Sequence, residues 1–209
     1  MKRLVLVLVA AVVMLAAVLI LRALGTRSRQ VAVAPAPALA VDAPAAAERL
    51  AGALRFRTVS YQDSSQFPEA EFRAFQQYLA RAFPRVHAAL SREAVGGFSL
   101  LYRWAGSDSS LAPIVLMAHQ DVVPVEAGTE SRWTYPPFEG RIAGGYVWGR
   151  GALDDKVNLL AQLEAVELLL AQGVTPRRTV YLAYGHDEEV GGTRGAAAIA
   201  RLLADRGIR

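Results

Sequence analysis

The sequence predicts an α/β fold, a mostly parallel sheet flanked by helices and preceded by an N-terminal membrane helix. Three observations carry that expectation. Two apolar runs, Ile114–Ala118 and Thr179–Tyr184, have the pattern of strands buried on both faces. Helical patterns at Lys156–Gln172 and Thr193–Asp205 complete a strand, helix, strand, helix order, the signature of a parallel layer. At the other end, Leu4 to Leu21 is an unbroken apolar run of 18 residues, about 27 Å as a helix and close to the core of a bilayer.

The elements follow in order. Lys2 and Arg3 precede the apolar run, and Arg22, Arg27 and Arg29 follow it, so charge gives no clean orientation. A cleaved signal peptide is the alternative, but its apolar region is usually about 7–15 residues. The Ala32-Val33-Ala34 pattern is also followed directly by Pro35, awkward beside a scissile bond. Residues 1–30 are therefore read as an anchor or signal segment, with the uncleaved anchor favoured. Residues 31–47, with Pro35, Pro37 and Pro44, read as an extended Ala/Pro tether, and 48–209 as the folded part.

Helical spacing predicts helices over Glu48–Phe56 and Glu69–Phe83, the second placing Phe72, Phe75, Tyr78 and Leu79 in the core. His87 is expected to be an ordinary helix or surface histidine. Glu93–Val95 and Phe98–Trp104 read as a hairpin turning at Gly96-Gly97. Trp133–Gly140 cannot be helix because of Pro136 and Pro137, and Arg141–Trp148 reads as two short strands around Gly144-Gly145. Gly173 is the expected stop of the helix that begins at Lys156.

Composition narrows the function classes. With no cysteine, disulfides, thiolate metal sites and a cysteine nucleophile are excluded. The net charge of +4 belongs to the N-terminus: setting aside the five bases of the first thirty residues leaves 18 bases against 19 acids. No nucleic-acid footprint remains.

Three motifs carry the chemistry: His119-Gln-Asp121 after the first strand, Asp154-Asp155-Lys156 after a Gly-rich turn, and His186-Asp187-Glu188-Glu189 after the second strand. Singly, each has a structural reading as a turn, a helix cap or solvated charge. Together they place a histidine and several acids at the carboxyl ends of strands, where open α/β sheets bind ligands. Acids that close repel one another, and a divalent cation, zinc above all, is the usual remedy. Ligand chemistry assigns His119, Asp154 and Glu189 to metal, with Asp154 able to bridge two ions about 3.5–4 Å apart. Asp121 would orient His119 through its second ring nitrogen, and Glu188 would act as general base on metal-activated water. His186 is expected to pack or hydrogen-bond beside its loop.

These motifs, with His119-Gln-Asp121-Val-Val-Pro, Trp133, Pro137-Phe138-Glu-Gly140, Gly149-Arg-Gly-Ala-Leu-Asp154-Asp155-Lys156 and Gly185-His-Asp-Glu188-Glu189-Val-Gly-Gly, strongly resemble family twenty of the metallopeptidases. The wording is closest to the Gly-Xaa carboxypeptidase and N-acyl amino acid hydrolase branch. The resemblance implies a zinc-exopeptidase-like fold, two Zn2+ (Mn2+ or Co2+ would suit similar ligands) and the roles given above. Asp155 matches a neighbour of the bridging acid. It further implies cleavage of an amide beside a free carboxylate, in a dipeptide or N-acyl amino acid. A catalytic domain outside the cytosol, periplasmic or extracellular, is implied as well, secreted if the N-terminal segment is cleaved.

The family also uses an acid shortly after the Glu-Glu pair, a distant C-terminal histidine and a lid domain that forms a homodimer. Asp205 is too near Glu189 for a comfortable match, and no histidine follows His186. The chain is accordingly expected to be an N-terminal part of such an enzyme, inactive alone. The rivals are a di-zinc aminopeptidase and a non-catalytic, membrane-tethered remnant or binding module.

Overall fold

The computed structural model describes residues 2–28, 30–35 and 39–208; Arg29 and Pro37 of the flank and tether lie outside the described residues. The chain divides into two units, residues 1–40 and 41–209. The first contains helix α1, Lys2–Leu24, which is long and apolar enough to cross a bilayer and buries none of its side chains in protein.

The second unit begins with α2, Ala43–Ala53, five residues ahead of the expected Glu48. The cause is local. Asp42 caps the helix, its carboxylate accepting from the Ala45 N–H at 3.0 Å, and Pro44 sits in the first turn, where its missing N–H costs nothing. Asp42→Ala is expected to lower stability by about 1 kcal/mol, measured by urea unfolding. Then follow α3 (Glu69–Ala82), α4 (Pro84–Ala89), β1 (Ser91–Val95), β2 (Ser99–Trp104), β3 (Ile114–His119), β4 (Arg141–Ala143), β5 (Tyr146–Trp148), α5 (Lys156–Ala171), β6 (Val180–Gly185) and α6 (Ala196–Asp205).

The main sheet has the order β1-β2-β6-β3 and is mixed: β3 and β6 are parallel, while β1-β2 and β2-β6 are antiparallel. Strand alternation sorts its side chains to two faces. Leu100, Tyr102, Trp104, Leu182 and Tyr184 pack with Phe75, Leu79, Leu159 and Leu163 from α3 and α5. Leu101, Tyr181 and Ala183 pack with Ile199 and Leu203 from α6. His87, in α4, lies 3.0 Å from the Tyr102 hydroxyl through Nε2, an ordinary helix histidine at the core margin.

Two details differ from expectation: the main sheet is mixed, with one parallel pairing of three, where a mostly parallel one was expected, and the first apolar run is not enclosed. Ile114–Ala118 is not buried on both faces, because among the described residues β3 is the last strand of the sheet; Ile114 is 39% and Met117 61% exposed. A fully apolar run has the same appearance in a central strand and in an edge strand, and only the neighbouring layers decide which it is. Side chains meet the outer edge of β3: Gln162 donates to the Met117 carbonyl at 3.0 Å, and Asp155 accepts from the His119 N–H at 3.2 Å.

Candidate metal centre

Parallel register sets the site. His119 of β3 lies opposite Gly185 of β6, so the segments after both strands leave from the same end of the sheet. Residues 58–60 run alongside the first of these segments, with Ser60 N–H donating to Val122 O and Val122 N–H to Thr58 O, both at 3.0 Å. The Gly-rich turn then brings the start of α5 against it. Gly151 has φ +84°, and a Cβ there would lie 2.7 Å from Val122 Cγ1, so the close approach requires glycine.

The structure gathers all five residues singled out from the sequence. One donor atom each from His119, Asp154 and Glu189 lies within 4.8 Å of the other two. His119 Nε2 is 3.0 Å from Asp154 Oδ1 and 3.8 Å from Glu188 Oε2. On its other side, His119 Nδ1 is 3.0 Å from the Asp121 main-chain oxygen and 3.2 Å from Asp121 Oδ1. With Nδ1–H donating to Asp121, Nε2 is the ring nitrogen that faces Asp154 and could serve a metal.

Asp121 does more than the sequence reading assigned to it. Its fully buried carboxylate also accepts from Ser60 Oγ at 2.7 Å, from the Glu188 N–H at 3.2 Å and from the Glu189 N–H at 3.1 Å. One carboxylate thus fixes both the histidine ring and the turn that carries the two glutamates. Asp155, at the N-terminal cap of α5, faces the His119 N–H and the Asn158 amide instead of the donor cluster.

Several contributing residues were missed. Ser60 and Ser99 have no sequence signal. Gln120 is buried and donates to Phe98 O at 2.9 Å and Tyr184 O at 3.0 Å, pinning the strand ends. Lys156 is fully buried, which is rare for a charged side chain, and nothing in the sequence singled it out.

Electrostatics at the cluster favours a cation. Burial pulls the His119 pKa down, but hydrogen bonds and charge from Asp121, Asp154 and Asp155 outweigh it and raise the value to about 9. Burial pushes the Glu189 carboxyl up, and the nearby charges of Asp154, Asp121 and Glu188 push it further, against His119. Burial would also raise Asp121, yet its bonds from His119, Ser60 and the Glu189 amide hold it below the usual range.

A divalent ion must displace the His119 proton. Below pH 9, zinc affinity is therefore expected to rise by about tenfold per pH unit, levelling off above it. Competition titrations with a chelator between pH 6 and 8 check this; a flat profile would remove His119 from the ligand set.

The donor set fits zinc. One imidazole nitrogen and two carboxylates are ordinary zinc ligands, and donors around a tetrahedral ion with bonds of about 2.0–2.1 Å lie about 3.3 Å apart. The 3.0 Å between His119 Nε2 and Asp154 Oδ1 is close to that spacing. The site is open: the side chains of Asp154 and Glu188 are 76% and 57% exposed.

These features define the class, an α/β protein whose strand ends gather a histidine and acids that could hold a metal ion. The family follows from comparison. Residues 115–209 match the model of peptidase family M20/M25/M40, and over this stretch the chain belongs to that family. It is 48% identical over 159 residues to a probable carboxypeptidase S-like 2 of Dictyostelium discoideum, covering 75% of this chain and 30% of that protein. It is 45% identical over 166 residues to the mouse N-fatty-acyl-amino acid synthase/hydrolase PM20D1, covering 78% of this chain and 32% of that protein. The chain thus spans less than a third of either relative. Among solved structures, an M20 family metallo-carboxypeptidase from Sulfolobus solfataricus superposes with a TM-score of 0.60 at 19% identity, over 78% of this chain and 35% of that one. That likeness concerns the fold.

Proposed function

We propose that this chain supplies the metal-binding N-terminal part of a di-zinc amidohydrolase that cleaves an amide beside a free carboxylate. The observation that carries the reading is the convergence of His119, Asp154 and Glu189 with Glu188 left beside them. Zinc, when bound, supplies Lewis acidity toward the scissile carbonyl and acidifies water.

The protein's own groups do the rest. His119, Asp154 and Glu189 would hold the metal. Asp121 keeps the His119 ring and the Glu188 backbone in place, at 3.0 Å and 3.2 Å. Glu188, exposed and 3.8 Å from His119 Nε2, is placed to take a proton from the attacking water and return it to the leaving amine.

The substrate class draws on the relatives. One is named a carboxypeptidase and the other an N-fatty-acyl-amino acid hydrolase, and both names describe an amide next to a free carboxylate. The apolar helix Lys2–Leu24 supports attachment to a membrane; a hydrolase outside the cytosol is what the resemblance to the N-acyl amino acid hydrolase branch implies.

In protein purified from its own membranes, a chelator should abolish hydrolysis of an N-acyl amino acid and zinc should restore it. Glu188→Gln should lower turnover by about 10²–10⁴-fold without loss of zinc. The 209-residue chain by itself is expected to take up zinc without turnover. Cleavage that requires a free N-terminal amine would replace this reading with an aminopeptidase. Zinc uptake unchanged by Asp154→Ala would replace it with a non-catalytic module.

A further inference from the structure

His186 takes no part in the mechanism above, yet it is among the most enclosed polar groups in the protein, 1% exposed. Its Nδ1 lies 2.6 Å from Ser99 Oγ, a hydroxyl on β2 that is itself fully buried. Its ring is caged by Phe67, Phe72 and Phe98 at centroid distances of 5.8, 6.3 and 5.9 Å. Nε2 is buried with no polar partner among the described residues. The Ser99 bond is thus the ring's one polar attachment, and it reaches across the sheet, away from the metal cluster.

The main chain of His186 faces the opposite way. Its carbonyl is 3.4 Å from Ser60 Oγ, the same hydroxyl that donates to Asp121. Only His186 and Asp187 separate the end of β6 from Glu188, and both are tied down. The Asp187 carboxylate accepts from the Arg194 N–H at 2.9 Å, and its carbonyl accepts from the Gly192 N–H at 2.7 Å. The packing leaves no slack: a Cβ at Gly195 would lie 2.4 Å from Asp187 Oδ1 and 3.0 Å from Ser99 Oγ. The Ser99 bond therefore anchors the short segment that leads directly into the glutamate turn.

We propose that His186 is a positioning residue, holding the Glu188–Glu189 turn in register with His119 and Asp154 through its hydrogen bond to Ser99. This rests on the metal-site reading above, and the controls keep the two separable. His186→Phe keeps a ring of similar size and removes the Ser99 partner, His186→Asn replaces the ring but offers Ser99 a polar atom near the Nδ1 position, and Ser99→Ala removes the hydroxyl alone. The readouts on the full chain are zinc affinity by chelator competition, the visible absorption spectrum of the Co2+-loaded protein, and thermal stability in chelator.

His186→Phe and Ser99→Ala should each weaken zinc binding by about tenfold and alter the Co2+ spectrum, as removal of an outer partner of a metal ligand does. His186→Asn should bind zinc more tightly than His186→Phe. Unchanged zinc affinity and Co2+ spectrum in His186→Phe and Ser99→Ala, with only stability reduced, would overturn the proposal and leave His186 a packing residue. If His186→Phe does not fold, Ser99→Ala decides alone. His119→Ala is the control: wild-type zinc affinity there would mean that the metal site itself is misassigned, whereas its loss, beside unaffected Ser99→Ala, would sink the positioning role only.

Discussion

Asp121→Ala is expected to cost the metal-free protein about 3–5 kcal/mol of stability, and zinc affinity about 10–100-fold. The reason is the number of groups that depend on one buried carboxylate. Ser60 Oγ and the Glu188 and Glu189 amides all donate to it, and His119 Nδ1 lies 3.2 Å away. Truncation leaves these donors without an acceptor in a place that water does not reach, and an unmade buried hydrogen bond costs more than a made one contributes. It also frees the His119 ring and the glutamate turn together, so affinity and stability should fall in the same variant. Asp121→Asn, isosteric but uncharged, should fall between the two because it still accepts through one atom. Urea unfolding in chelator and zinc competition check both effects. Wild-type stability and affinity in Asp121→Ala would mean that these contacts do not organise the centre.

The second large effect concerns Lys156, an ammonium taken out of water. Its Nζ donates to Ala53 O at 3.1 Å and Phe56 O at 2.8 Å, and lies 4.7 Å from the centre of the Phe75 ring. Burial lowers its pKa to about 7, well below the usual 10.5. The unfolded chain therefore binds one more proton than the folded one between pH 7 and 10.5, and stability contributed by this group rises with pH through that window. At 1.36 kcal/mol per unit, the rise amounts to about 5 kcal/mol.

Lys156→Met removes the titration and keeps most of the packing. The stability of wild type minus Lys156→Met, in chelator, should increase steadily from pH 7 to pH 10. The His119 contribution runs the other way, because the stability contributed by its protonated ring is lost as pH climbs toward 9; it is present in both proteins and cancels in the difference. A difference that does not change with pH would show that Lys156 keeps its ordinary pKa and reaches water.

Much of this protein is legible residue by residue. The helices at Glu69 and Lys156 and the hairpin at Gly96-Gly97 follow from apolar periodicity and glycine punctuation, which act over a few residues, and the last strand and helix differ from the expected Thr179–Tyr184 and Thr193–Asp205 only at their ends. The boundary at Ala43 was misjudged because Pro44 suits a tether and a first helical turn equally well. His119, Asp121, Asp154, Glu188 and Glu189 were identifiable because each follows an apolar run or a glycine turn, so chain order alone delivers them to strand ends.

By itself, then, the sequence determined the order of elements, the apolar N-terminal helix and which side chains could serve as donors, all properties of short stretches. Only the tertiary structure decided that β3 is the last strand of the sheet among the described residues, that Asp121 holds the glutamate turn as well as the histidine, and that Ser60, Ser99 and Lys156 matter. Ser60 lies 61 residues from Asp121, Ser99 lies 87 from His186, and Lys156 lies 103 from Ala53. Such contacts depend on which buried groups find partners once the layers close, and burial is a property of the packed chain, not of any stretch within it.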